Sequence, residues 1–289
     1  MLRAGRVPLL LGALLGCAPV ATAGPACRPT AEAVALPDEL AEVSGVAVAT
    51  RAADVLWTHG DDEPALYAVN AAGKLLGRHP LDAEVHDWED VEAAPCRAHG
   101  SCLYLADTGD NVEQRPVVHI LRTPEPDAAR PGPLAAEVFP VRFPDGPRDV
   151  EALFVLPGER VHVVSKGRRG PVTVYRYPGA LRPDTVTLEE VQRLTDGPAM
   201  LLDQVTGASA SRDGSLVAVR TYQALRFYHV EEGRLEPAER GLVNLRPLRE
   251  IQGEGVALGP DGLVALTSEG GPLGGPASLR TLRCDELAD

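Results

Sequence analysis

The sequence predicts an all-β fold in which one unit repeats five times around an axis, and three observations predict it. First, the 289 residues include 26 prolines and 29 glycines, which punctuate the chain too densely for long helices and favour short strands. Second, five segments superimpose by apolar pattern: Val43-Ser44-Gly45-Val46, Trp88-Glu89-Asp90-Val91, Val150-Glu151-Ala152-Leu153, Val205-Thr206-Gly207-Ala208 and Gly253-Glu254-Gly255-Val256. Their second positions recur at intervals of 45, 62, 55 and 48 residues, the range of a propeller blade with loops of varying length. Third, each segment is followed by two further apolar runs, such as Leu103-Tyr104-Leu105-Ala106 and then Val117-Val118-His119-Ile120-Leu121. Four-stranded units repeated about an axis make a β-propeller. Five blades are expected. The 62-residue interval leaves six as the alternative, although residues 124–147 within it read as an extended loop rather than another blade.

The chain opens with a short basic region containing Arg3 and Arg6 and then an apolar run over residues 7–16, the pattern of a secretory signal too short to remain as a spanning helix. Two exits compete. Leu14-Leu15-Gly16-Cys17 resembles a lipobox, in which Cys17 is lipidated and ties the chain to a membrane facing the periplasm or the cell surface, whereas Ala21-Thr22-Ala23 fits cleavage and secretion. Residues 1–16 are thus expected to be a signal, 17–30 an anchor and tether rich in Pro, Ala and Gly, and 31–289 a single propeller domain.

Five cysteines are an odd number for an exported chain, and assigning Cys17 to a lipid leaves four that can pair. Of three possible pairings, Cys96 with Cys102 staples one hairpin loop, which leaves Cys27 with Cys284, one near each mature end. The last repeat stops after its third strand, so the run near Val34 is expected to supply the fourth strand and close the ring without an open edge. That closure brings Cys27 and Cys284 into one blade.

Removing Arg3 and Arg6 with the signal takes the formal charge from −13 to −15. So acidic a chain argues against nucleic acid as a partner, because phosphate binding needs Lys and Arg patches. The expectation is a monomer that takes a small-molecule or protein ligand.

In a propeller the first strand of each blade lines the axis, so the repeat converges Glu89, Glu151 and Glu254 on one opening, with Ser44 and Thr206 between them. Like charges gathered there must be protonated or neutralised, and oxygen-only ligands favour a hard ion such as calcium. Around the same rim the second strands and their turns offer His59, Asp107, Asp110, Asn111, Lys166, Arg220, Tyr222 and Glu269. Asp107 or Asp110 as base, with Arg220 or Lys166 as electrostatic clamp, would make a metal-dependent hydrolase. His59, Asn111, Tyr222, Glu269, Ser44 and Thr206 would instead line a ligand pocket. A third reading is a metal-free interaction protein in which Lys166 and Arg220 simply neutralise the glutamates. Trp88 reads as packing, His119 and His162 as structural strand residues, and the loop Lys166-Gly167-Arg168-Arg169 as solvated. No Gly-rich phosphate loop or Gly-x-Ser-x-Gly nucleophile elbow is present.

These residues resemble a family of exported bacterial propeller proteins that carry a Trp-Glu-Asp strand start and a Gly-Asp-Asn turn. The resemblance covers residues 38–269 through Trp88-Glu89-Asp90, Gly109-Asp110-Asn111, Val150-Glu151-Ala152-Leu153, Val205-Thr206-Gly207, Arg220-Thr221-Tyr222 and Gly253-Glu254. His59-Gly60-Asp61-Asp62 departs from it where an Asn and a Ser-Gly-Asp continuation are expected. In style the chain is also similar to gluconolactonase-like and phytase-like propellers, which implies calcium or another divalent ion on acidic channel residues and, for the hydrolase reading, lactones or phosphate esters as substrates. Phytase-like chemistry further wants basic residues for phosphate, and the channel offers only Lys166 and Arg220.

Overall fold

A computed structural model describes residues 27–61, 63–271 and 275–284; Cys17 and the expected signal lie outside them. The chain begins with two short strands, Cys27–Pro29 (β1) and Val34–Ala35 (β2), the first of them inside the stretch read as a tether. Blade one is Val43–Val48 (β3), Leu56–Gly60 (β4), Ala65–Val69 (β5) and Leu75–Asp82 (β6). Blade two is Asp90–Ala94 (β7), Cys102–Asp107 (β8), Val118–Pro124 (β9) and, after the short Leu134–Ala135 (β10), Glu137–Arg142 (β11). Blade three is Val150–Leu156 (β12), Arg160–Ser165 (β13), Pro171–Arg176 (β14) and, after Val186–Thr187 (β15), Glu189–Pro198 (β16). Blade four is Val205–Ala210 (β17), Leu216–Thr221 (β18), Ala224–Glu231 (β19) and Arg234–Asn244 (β20). Blade five is Gln252–Leu258 (β21), Leu263–Glu269 (β22) and Ser278–Cys284 (β23).

Both N-terminal strands pair antiparallel with β23 and complete blade five, so the ring closes as the strand count requires. The register sets Cys27 opposite Cys284, and the two form a disulfide. Cys96 and Cys102 form the second, across the β7–β8 hairpin. Residues 124–147 are not the plain loop expected of them. They hold β11, the outer strand of blade two, and β10, which adds in parallel to β6 of blade one. The prolines obscured this strand, yet Pro140 is tolerated because outer strands need fewer ladder donors.

The core consists of seams between blades. Tyr104, Ile120 and Phe139 of blade two pack on Leu153, Val163 and Tyr175 of blade three, and equivalent clusters join the other neighbours. Inner and middle strands are covered on both faces, so they appear as unbroken apolar runs rather than alternations. All five residues of β4 are buried, including Thr58 and His59.

Four of the five inner strands carry a register shift at their first residues: between Val43 and Val46, Val150 and Ala152, Val205 and Gly207, and Gly253 and Val256. Such bulges re-aim side chains at a sheet rim. They fall on the second position of the repeat.

Candidate functional site: the acidic mouth of the ring

The inner strands lie so close that a Cβ on Gly45 would stand 2.7 Å from Asp90 Cα, and one on Gly207 2.8 Å from the Glu254 carbonyl. Their free edges face the axis and would leave backbone N–H groups unpaired. Asp90 meets that need. Its Oδ2 accepts from the N–H of Leu153 at 2.9 Å and of Ala208 at 3.1 Å, and its Oδ1 from Val91 at 2.9 Å. Glu92 Oε1 likewise accepts from Ala210 at 3.3 Å. Burial drives both carboxyls well above the ordinary range, with the backbone donors pulling the other way. Asp90 and Glu92 therefore plug the axis, and the channel is reduced to a mouth above them. The reading of the sequence passed over both, although acids alternating in Asp90-Val91-Glu92 of an inner strand were a signal for them.

Of the five equivalent rim positions, two bind blade to blade. Ser44 Oγ donates to the Glu89 carbonyl at 2.7 Å, and Thr206 Oγ1 to the Glu254 carbonyl at 3.0 Å. Of the remaining three, Glu89 and Glu254 each lie in the electrostatic field of Glu151. Burial, then Glu151 and Asp87, push Glu89 well up. Burial raises Glu151 to about 7 against the pull of Lys166, whose Nζ lies 2.7 Å from its Oε1. Burial, then Glu151 and Glu269, raise Glu254 to about 8. Lys166 is itself buried, not solvated as its loop suggested. Desolvation opposes its charge, but Glu151 outweighs that and keeps it an ammonium. Tyr222 lies in the field of Glu254, Lys166 and Glu151, raised to about 12 by burial and then by Glu254.

The other expected site residues are arranged differently. Arg220 is fully buried, donating to the carbonyls of Gly255 at 2.7 Å and Thr267 at 2.9 Å and to Glu250 at 2.6 Å, so it ties blade four to blade five. His59 lies inside β4, its ring centroid 4.3 Å from that of Trp88. Burial holds it neutral, lowering it to about 3. Trp88 is core, its indole N–H donating to Gly60. Asp110 accepts from the Arg115 N–H at 2.6 Å, while Asn111 is exposed on the turn beyond it. Asp107 is buried beside Arg115, His86 and His119. Residues missed by sequence reasoning include Asp149, which accepts from the Asp110 N–H at 3.0 Å and pairs with Arg168 at 3.2 Å.

The connections that surround this mouth also carry exposed apolar side chains: Val112, Met200, Leu201, Leu202 and Ile251. Met200, Leu201 and Leu202 adjoin the site directly, since Ala199 N–H donates to the Gly167 carbonyl and Val205 N–H to the Lys166 carbonyl on either side of them.

No family model and no curated protein matches the chain. Solved structures do. The PQQ-bound aldose sugar dehydrogenase of Streptomyces coelicolor aligns at a TM-score of 0.54 and 13% identity, covering 90% of this chain and 99% of that one. The soluble aldose sugar dehydrogenase of Escherichia coli, in its apo form, gives 0.51 and 12% over 88% of this chain and 99% of that one. A luciferin-regenerating enzyme gives 0.50 and 11% over 90% and 95%. At such identities the likeness extends to the fold alone, and fold does not fix function. The chain is an all-β propeller of five blades, distantly similar to propeller enzymes.

Proposed function

We propose that this chain is an exported, lipid-anchored propeller that binds a ligand or partner through a positive charge at its acidic mouth, with calcium as the first ion to test. The observation that carries the reading is that Glu89 and Glu254 are each raised by burial and by the field of Glu151, which itself pairs with Lys166. Carboxylates in that state are relieved either by protons or by a cation. Carboxylate oxygens are the donors that a hard divalent ion prefers. Lys166 is engaged with Glu151, so Glu89 and Glu254, the latter with Glu269 in its field, are the residues to hold the charge. The apolar rim at Met200, Leu201, Leu202 and Ile251 supports a ligand that carries apolar surface around its cation. The anchor rests on the lipobox at Cys17.

Binding is favoured over hydrolysis for a physical reason. A hydrolase would need Lys166 or Arg220 free to clamp developing negative charge, and both already have partners. Calcium titration by calorimetry of the chain from Gly24 onward tests the proposal. Binding should weaken about tenfold or more in each of Glu89→Gln and Glu254→Gln, since affinity follows the number of charged ligands. Unchanged affinity in both would remove the mouth as the site.

A further inference from the structure

On the Asp87 side of Glu89, one cluster of side chains has the composition and spacing of a transition-metal site. Asp107 closes β8, His119 lies on β9, and His86 lies on the connection entering blade two. His119 Nδ1 stands 3.1 Å and His86 Nδ1 3.6 Å from the same oxygen, Asp107 Oδ2. The ligand atoms of all three residues lie within 4.8 Å of one another. In a tetrahedral zinc site with bonds of about 2.0–2.2 Å, adjacent ligand atoms stand about 3.3–3.5 Å apart, and the observed spacings bracket that figure.

The second oxygen shows how the carboxylate is held for such a role. Asp107 Oδ1 accepts from the backbone N–H of His86 at 3.0 Å and of Asp87 at 2.9 Å. Arg115 Nη2 braces the group from the side, 3.3 Å from each oxygen, while its Nη1 donates to the Gly109 carbonyl. The backbone bonds from His86 also fix where its ring begins. His86 is mostly exposed and His119 a quarter exposed, so the side facing away from Asp107 is open to solvent.

We propose that His86, Asp107 and His119 form a binding site for a divalent transition-metal ion of the zinc type, held by two imidazoles and one carboxylate with a fourth position open to water or a ligand. Mixed nitrogen and oxygen donors separate it from the all-oxygen mouth, and hard ions such as calcium should ignore it. The Asp107 carboxylate then serves as ligand, and Arg115 as the group that orients it.

The test is zinc binding to the purified exported chain by equilibrium dialysis, with cobalt(II) absorption reporting the coordination geometry. The expected result is a single zinc ion per chain at micromolar metal and a tetrahedral cobalt spectrum. His86→Gln and His119→Gln should each weaken binding at least about 100-fold, beyond what loss of an outer-shell partner costs. His99→Gln, on an exposed loop elsewhere, should leave it unchanged. Because His86 is exposed, its variant should melt at the wild-type temperature without metal, which separates ligand loss from misfolding. No binding at micromolar zinc, or binding that survives His86→Gln with its affinity intact, would overturn the proposal.

Discussion

Asp90 accepts a hydrogen bond from the backbone N–H of Ala208, 118 residues away in sequence and two blades away around the ring, at 3.1 Å. With Leu153 bound to the same oxygen, one side chain ties blades two, three and four together across the axis. In Asp90→Ala the two N–H groups lose their acceptor inside a space too crowded by Gly45 for easy rearrangement. At about 1–3 kcal/mol for each buried orphan donor, the variant should lose at least about 2 kcal/mol in urea unfolding. Asp90→Asn keeps an acceptor oxygen and should lose less.

Arg220 answers a similar need on the other side of the ring. Arg220→Met would leave Glu250 and two carbonyls without their donor, and breaking a buried pair costs about 3–5 kcal/mol. The fraction that remains folded should bind calcium as the wild type does, because Arg220 does not face the mouth. A large loss of affinity with stability intact would contradict this structural role.

The fold was largely legible in the sequence. Hairpin chemistry, the interval between repeats and the cysteine count led to five blades, N-terminal closure and both disulfides. What stayed hidden was set by geometry that has no local signature. The bulges at Glu151, Thr206 and Glu254 do not show in a pattern of apolar residues, and neither does the axial edge of free N–H groups that Asp90 caps. Arg220 and His59 looked like rim residues because they fall near strand ends, whereas burial between blades decides their roles. Residues 124–147 looked like a loop because proline masked β11.

The closing disulfide should matter more to stability than the local one. Cys27–Cys284 encloses nearly the whole domain, for which the chain-entropy model gives an upper figure of about 5 kcal/mol. Cys96–Cys102 closes a loop with a sequence separation of only 6. Replacing Cys27 and Cys284 together by Ser should therefore lower the melting temperature more than replacing Cys96 and Cys102. The opposite order would argue that the outer strands of blade five hold without their covalent tie.

The glutamates of the mouth impose a pH dependence with a definite sign. Glu151 at about 7 and Glu254 at about 8 lie above their ordinary 4.5, so the folded chain binds protons that the unfolded chain has released. Stability from these groups is present at low pH and is lost as pH rises through the folded values. His59 at about 3 and His162 at about 4 act in the opposite sense, but only below their ordinary 6.5. Between pH 6.5 and 8 the glutamates dominate, so the melting temperature in chelator should fall across that window. Glu254→Gln should flatten the fall.

The most direct test of the acidic mouth is calcium titration at pH 7 in two buffers that differ in ionisation enthalpy. If the cation replaces protons on Glu89 and Glu254, binding releases protons and the apparent heats differ between buffers in proportion to that release. Identical heats in both buffers, or no heat of binding in either, would contradict the account.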